Sequence, residues 1–244
     1  MSGAASTGAL AGRVVLVTGA AGGLGAAASL ACAKAGATLV LLGRKVPKLN
    51  RVYDAMAAAG PEPLLYPFDL EGASPEDHAE LALRVESELG RLDGLLHCAA
   101  YFPGLTPFVH ADPAAFARAL HVDLTAPAWL SQACLPLLVK APDAALVFTL
   151  DDPARVGGAF WGGYGVAHHG LVGLVATLHA EYAHTAVRVA GLRPGPMRTP
   201  LRARAYAEDR DPRLADPARY ADACVTLLSP AGAPHRGTIW NPTP

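Results

Sequence analysis

The sequence predicts an α/β fold: one doubly wound parallel sheet of seven strands with helices on both faces. Three observations predict it. Short β-rich apolar runs alternate with longer helix-compatible stretches along nearly the whole chain. The runs are apolar throughout instead of alternating with polar residues, as strands buried on both faces are. The chain has 244 residues, 52% hydrophobic and 17% charged, which suits one large domain with a substantial core.

The predicted strands cover 14–17, 38–42, 64–66, 94–98, 145–149 and 187–191, with a last one near 238–240. Intervening helices then make right-handed crossovers. No repeat and no low-complexity linker divides the chain, so residues 1–244 are expected to form a single domain. A helix from Asp112 to about Val139 opens on Asp-Pro, where the carboxylate can cap and proline suits the first turn. A second helix, 162–184, carries Ala167, Leu171, Leu174 and Leu178 on one face and Val172, Val175 and Tyr182 on another. Two apolar faces need two partners, so a homodimer or homotetramer is expected.

Composition also excludes functions. A net charge of -1 gives no electrostatic reason to expect nucleic acid. The apolar stretch 14–42 is broken by Thr18, the Gly22-Gly23 pair and Lys34, so no membrane span is expected. The first residues lack a basic segment ahead of an apolar core. Cys32, Cys98, Cys134 and Cys224 lie far apart with no CxxC spacing and read as reduced core thiols. A cytoplasmic location is the expectation.

After the first strand comes Thr18-Gly19-Ala-Ala-Gly22-Gly23-Leu24-Gly25, followed by an alanine-rich helix. Glycines there permit a tight turn and let backbone N–H groups approach a pyrophosphate at the positive end of a helix. The strand–loop–helix–strand context is that of a Rossmann dinucleotide site. The second strand ends Gly43-Arg44-Lys45. A carboxylate at that strand end would repel a 2′-phosphate, whereas the Arg44 guanidinium can grip one, which favours NADP(H). Asp69 is placed to accept from an adenine amino group, or else to cap a turn ahead of Glu71-Gly72.

On these residues the chain resembles the short-chain dehydrogenase/reductase family over essentially its whole length. Thr18-Gly19-xxx-Gly23-Leu24-Gly25 matches that family's Thr-Gly-xxx-Gly-x-Gly, and Asp69-Leu70 matches its Asp-Leu/Val. Arg193-Pro194-Gly195-Pro196 with Thr199 matches its nicotinamide-side Pro-Gly motif. The family's Asn-Asn-Ala-Gly is here His97-Cys98-Ala99-Ala100, so Ala99 matches and an amide that ties neighbouring strands is lost. The resemblance implies that Thr18, Gly19, Gly23, Leu24, Gly25, Arg44, Asp69, Leu70, Ala99, Pro194, Gly195 and Thr199 hold NADP(H).

The catalytic positions diverge. The family's helical Asn aligns with Asp123, its Ser with Asp151 and its Lys with His168, while Tyr164 survives. As the resemblance implies, that tyrosine protonates a carbonyl oxygen as hydride arrives. The lysine lowers the tyrosine pKa and holds the nicotinamide ribose, and the serine donates to the oxyanion. His168 lies at i+4 on the helix face of Tyr164, but imidazole is mostly neutral at pH 7. A carboxylate about 5 Å from a tyrosinate costs it roughly 3 kcal/mol at an effective dielectric near 20. Asp151 must therefore be protonated by burial or paired with a charged His168.

Other chemistries find less support. Asp123, Asp151, Asp152, His168 and His169 fit no metal signature, no Gly-x-Ser-x-Gly elbow is present, and Cys98 reads as an inert buried thiol. Around and after the Pro-Gly motif lie Arg188, Arg193, Arg198, Arg202, Arg204, Arg210 and Arg213, with a lid expected at about 196–215. Arg198, Arg202 or Arg204 could meet an anionic substrate or cofactor phosphate, although solvated lid surface is the simpler reading. Tyr101, Phe102 and Phe108 line an apolar substrate pocket or pack in the core. Three functions follow: NADP(H)-dependent carbonyl/alcohol oxidoreduction of a small molecule with Tyr164, His168, Asp151 and Asp123 in the site; an inactive NADP(H)-binding sensor, scaffold or partner subunit; and a cofactor-free interaction module.

Overall fold

In the computed structural model, which describes residues 8–206 and 208–243, all seven predicted strands form and pair in parallel. They are β1 (Val14–Thr18), β2 (Thr38–Gly43), β3 (Leu64–Pro67), β4 (Gly94–His97), β5 (Ala144–Thr149), β6 (Val187–Leu192) and β7 (Ile239–Trp240). Their order is β3-β2-β1-β4-β5-β6-β7. The chain starts mid-sheet, winds outward to β3 and then returns to the other side of β1. The crevice where the winding direction reverses lies beyond the ends of β1 and β4, which is where open α/β sheets bind ligands. Thr18 and His97, in register with each other, are the last residues of these strands.

The central strands are buried end to end because helices cover both sheet faces. On one face α1 (Gly23–Lys34), α2 (Val46–Ala57) and α9 (Ala221–Leu228) pack on Val15, Val17, Leu39 and Leu41. On the other, α3 (Pro75–Leu89), α5 (Ala126–Lys140) and α7 (Gly162–Glu181) pack on Leu16, Val40, Leu95 and Leu146. Shorter α-helices among the described residues are α4 (Pro113–Leu120), α6 (Pro153–Val156) and α8 (Pro200–Ala203).

The helix predicted from Asp112 is not continuous. Asp112 does cap α4, its side chain accepting from the Ala114 N–H at 3.0 Å. A π-helical turn, His121–Thr125, then separates α4 from α5. Pro127 has no N–H to give to the Asp123 carbonyl, and the Ala126 N–H reaches back five residues to His121. Asp123 sits in that turn. The stretch Pro113–Lys140 is long and apolar enough to cross a membrane, but half of its apolar 18-residue window is buried inside the fold. The second apolar face of α7 is less bare than its sequence suggests: Val175 is buried, and Val172 and Tyr182 are half-buried, against the same core as Leu171, Leu174 and Leu178 of the first face.

Candidate active site

A cleft of about 510 Å³ opens beyond β1 and β4. It is lined by Thr18, Gly19, Gly23, Leu24, Arg44, Asp69, Leu70, Ala99, Asp151, Tyr164, His168, Pro194, Gly195 and Thr199, so most of the sequence-predicted site residues meet there. Gly25 and Asp123 do not line it.

Backbone contacts build the front half. Gly19 adopts φ +63°, and a side chain there would place its Cβ 2.7 Å from the Ala99 Cα. A Cβ on Gly25 would fall 2.2 Å from the Gly19 carbonyl oxygen. Gly25 thus shapes the loop from behind, and only glycine leaves room for the turn. The Thr18 hydroxyl accepts from the N–H groups of Cys98 and Ala99 at 3.1 and 3.2 Å. Cys98 Sγ in turn lies 3.5 Å from the Thr149 hydroxyl. The strand tie expected to be lost with the family's asparagine is therefore made by Thr18, Cys98 and Thr149. Burial pushes the Cys98 thiol up to about 12, so it stays protonated.

At the outer end Arg44 faces Asp69 at 3.7 Å and Glu71 at 3.4 Å, with Lys45 and Lys48 on the same wall. Asp69 also caps its turn, accepting from the Glu71 N–H at 3.2 Å. Gly23 packs against Thr199, whose hydroxyl caps α8 by accepting from the Arg202 N–H.

The inner end holds the altered positions. Tyr164 is buried, and its hydroxyl donates to Asp151 Oδ2 at 3.1 Å. Burial, then Asp151, then Asp123 push its phenol well above the ordinary value. His168 is buried and its Nδ1 accepts from the Asp151 N–H at 3.0 Å. An imidazole that accepts at Nδ1 is neutral when its proton sits on Nε2. Burial pushes its pKa down to about 4, which agrees. His168 Nε2 is itself buried without a partner.

The pairing expected between Asp151 and a charged His168 is not present. His168 carries no charge to pair with it, and the partner is Arg155, which the sequence reading missed. Asp152 caps α6 by accepting from the Ala154 N–H at 3.1 Å, and this short helix turns Arg155 back over Asp151, where its guanidinium pairs with Oδ1. The Asp152 N–H also donates to Oδ1 at 2.7 Å. An Asx-Pro start places residue i+4 above the residue before the cap, so the signal was in Asp151-Asp152-Pro153-Ala154-Arg155.

Asp123 lies behind the wall. Its Oδ1 accepts from the Tyr101 N–H at 2.6 Å, Oδ2 has no partner, and burial raises its pKa well above the usual carboxylate range. Of the aromatic candidates, Tyr101 lines the cleft. Phe102 is wholly buried, stacks on Trp161 and packs at a tilt against Tyr164. Phe108 is 79% exposed in a separate hollow with Phe116, Phe160 and Val166, so it does not line the substrate space.

Nor do the arginines form one free cationic patch. Arg188 is buried against Asp143, and Arg202 pairs with Asp209 and Asp211 while lying over Tyr206. Arg210 and Arg213 have their own acidic neighbours. Arg204 lines the cleft and donates to the Phe102 carbonyl at 2.6 Å. Among the described residues no group of three or more His, Cys, Asp or Glu is placed to hold a metal ion.

A family model described as short chain dehydrogenase matches residues 13–210. The chain belongs to the short-chain dehydrogenase family. It is 35% identical to the uncharacterized oxidoreductase YciK of Escherichia coli K12 over 217 residues, 88% of this chain and 86% of that one. It is 33% identical to cis-4-hydroxycyclohexanecarboxylate dehydrogenase of Sinomonas cyclohexanicum over 229 residues, 91% of each. A short chain dehydrogenase of Escherichia coli CFT073 complexed with NADPH superimposes with a TM-score of 0.92 at 33% identity, covering 98% of this chain and all of that one. The chain is thus a member of a family of oxidoreductases.

Proposed function

We propose that this protein is an NADP(H)-dependent oxidoreductase that interconverts a small-molecule alcohol and carbonyl compound. The observation that carries the reading is the inner end of the cleft. The Tyr164 hydroxyl and the unpartnered His168 Nε2 lie on successive turns of one helix, on the β5 side of the cleft and away from Arg44 at the end of β2. A buried donor without a partner costs roughly 1–3 kcal/mol, and a nicotinamide ribose hydroxyl is an acceptor that removes the cost. The residues present therefore fit the cofactor.

Thr18, Gly19, Gly23, Leu24, Ala99, Pro194, Gly195 and Thr199 would hold the dinucleotide, with Gly25 shaping the loop behind them. Arg44, Lys45 and Lys48 would hold the 2′-phosphate, Asp69 and Leu70 would border the adenine, and NADP(H) would supply or accept hydride. The NADPH complex of the Escherichia coli CFT073 relative supports the choice. Tyr164 then exchanges a proton with the substrate oxygen, beside a wall of Trp161, Leu201 and Tyr206. Asp123 acts at one remove by holding the Tyr101 backbone. Residues 196–215 would form the lid, with Arg204 latching it to the Phe102 carbonyl. The exposed Phe108, Val109, Phe160 and Val166 would be covered in a homodimer or homotetramer.

Tyr164→Phe tests the reading. Turnover of a panel of cyclic and linear secondary alcohols with NADP⁺ is expected to fall by about 100-fold or more, with NADPH affinity nearly unchanged. A variant as active as the parent would overturn the assignment of Tyr164. A parent that binds NADPH and turns over nothing would favour the sensor or scaffold reading.

A further inference from the structure

We propose that Asp151, held as a carboxylate by Arg155, is the proton acceptor of this site, reached through the Tyr164 hydroxyl. The resting protein is then set for alcohol oxidation, and carbonyl reduction first needs a proton loaded on Asp151. This rests on the oxidoreductase reading above and adds to it a direction and a positioning residue.

The hydrogen bonds have one direction. Asp151 Oδ1 is filled by the Arg155 guanidinium and the Asp152 N–H, while Oδ2 receives the Tyr164 O–H. A carboxylate with three donors and no competing acceptor is favoured in its charged form. The side chain of Asp151 is 13% exposed and that of Arg155 27%, so the pair is shielded enough for geometry to matter. Tyr164 points its proton at Asp151 and presents its oxygen lone pairs elsewhere, which suits a phenol that accepts from a substrate hydroxyl. His168 cannot supply the cation that would stabilise a tyrosinate, because its Nδ1 is committed as an acceptor. The positive charge of the site stands on α6, against Asp151, not on α7 against the phenol.

The oxidation step balances as follows. The substrate O–H proton passes to Tyr164 Oη as the Tyr164 proton passes to Asp151 Oδ2. The hydride on the carbinol carbon leaves for an oxidised nicotinamide dinucleotide, and the carbon–oxygen bond becomes double. Tyr164 ends neutral, Asp151 ends protonated, and solvent later takes that proton. No free tyrosinate forms, which suits a phenol whose ionisation is pushed well above its ordinary range. Arg155 touches no reacting atom and acts as a positioning residue, keeping Asp151 charged and aimed.

The first test needs no substrate. Protein carrying ¹³Cγ-aspartate is titrated by NMR, with the Asp151 carboxyl assigned by its loss in Asp151→Asn. Asp151 is expected to be ionised at pH 7, with its midpoint rising by at least one pH unit, tenfold in proton affinity, in Arg155→Gln and returning most of the way in Arg155→Lys. A midpoint that Arg155→Gln leaves in place, or a carboxyl already protonated at pH 7, would overturn the proposal. The second test is kinetic. Above the Asp151 midpoint, ketone reduction should fall about tenfold per pH unit while alcohol oxidation stays flat, and both limbs should shift with the midpoint in Arg155→Gln. A reduction rate flat from pH 6 to 8 would also overturn it. If the parent binds NADPH but neither oxidises nor reduces, the oxidoreductase reading itself fails and the relay falls with it. That outcome is distinguishable, because the NMR titration would still report the Asp151–Arg155 pair.

Discussion

A Gly25→Ala chain is expected to lose measurable NADPH binding while a Gly72→Ala chain keeps it. The added methyl would lie 2.2 Å from the Gly19 carbonyl oxygen and 2.9 Å from the Gly19 carbonyl carbon. Neither is the end of a flexible side chain, so the backbone itself must move. Gly19 has little freedom to yield, because its own α-carbon closes against Ala99 and its φ is +63°. The loop therefore has to open, and the N–H groups aimed at a pyrophosphate lose their common focus. A weakening of at least 100-fold corresponds to about 2.7 kcal/mol, and overpacking adds a cost of about 1–3 kcal/mol to folding. A methyl on Gly72 would meet no other atom within 4 Å, so that variant serves as the control. Calorimetric titration of both variants checks the expectation, and equal affinities would show that the loop does not hold the cofactor.

Acid is expected to destabilise the fold steeply. Burial pushes the pKa of His168 and His78 down to about 4 and that of His97 to about 3. In the unfolded chain a histidine titrates near 6.5. The folded values are depressed, so the unfolded chain binds more protons below about pH 6.5. The stability these neutral rings contribute is complete above that pH and is lost as pH falls from there towards 4. Asp123 works in the opposite sense, since its folded pKa is raised and the native state keeps a proton that the unfolded chain releases. The histidines shifted down by burial outnumber this one carboxyl, so the net effect is a loss of stability as pH falls below about 6.5. Urea midpoints at pH 7.5, 6 and 5 measure the slope, and His78→Leu should reduce it. A midpoint constant between pH 7.5 and 5 would contradict the neutral, buried state of these histidines.

The sheet was legible because its signal is repeated and local. Seven apolar runs with helices between them fix the topology even when single boundaries move by a residue, as at Thr18 and Gly43. The glycine loop was legible because a close backbone approach excludes side chains, as at Gly19 and Gly25, while Gly23 leaves room for the Thr199 side chain. The catalytic end was harder. The family pattern placed Asp151, Tyr164 and His168 in one site, and the cleft does bring them together. Reading them pairwise missed Arg155, since its position depends on a four-residue helix that Asp152 caps. Asp123 was legible as a departure from the family pattern, but not as a buried group behind the wall. That placement depends on a π-helical turn which a proline within an apolar stretch does not announce.

The measurement that tests the central claim most directly is a side-by-side calorimetric titration of the purified protein with NADPH and NADH. Arg44, Lys45 and Lys48 on the outer wall, and no carboxylate at the end of β2, lead to NADPH binding at least tenfold tighter, a gap that Arg44→Ala narrows. Absence of heat with either nucleotide would contradict the assignment and leave the fold without its cofactor.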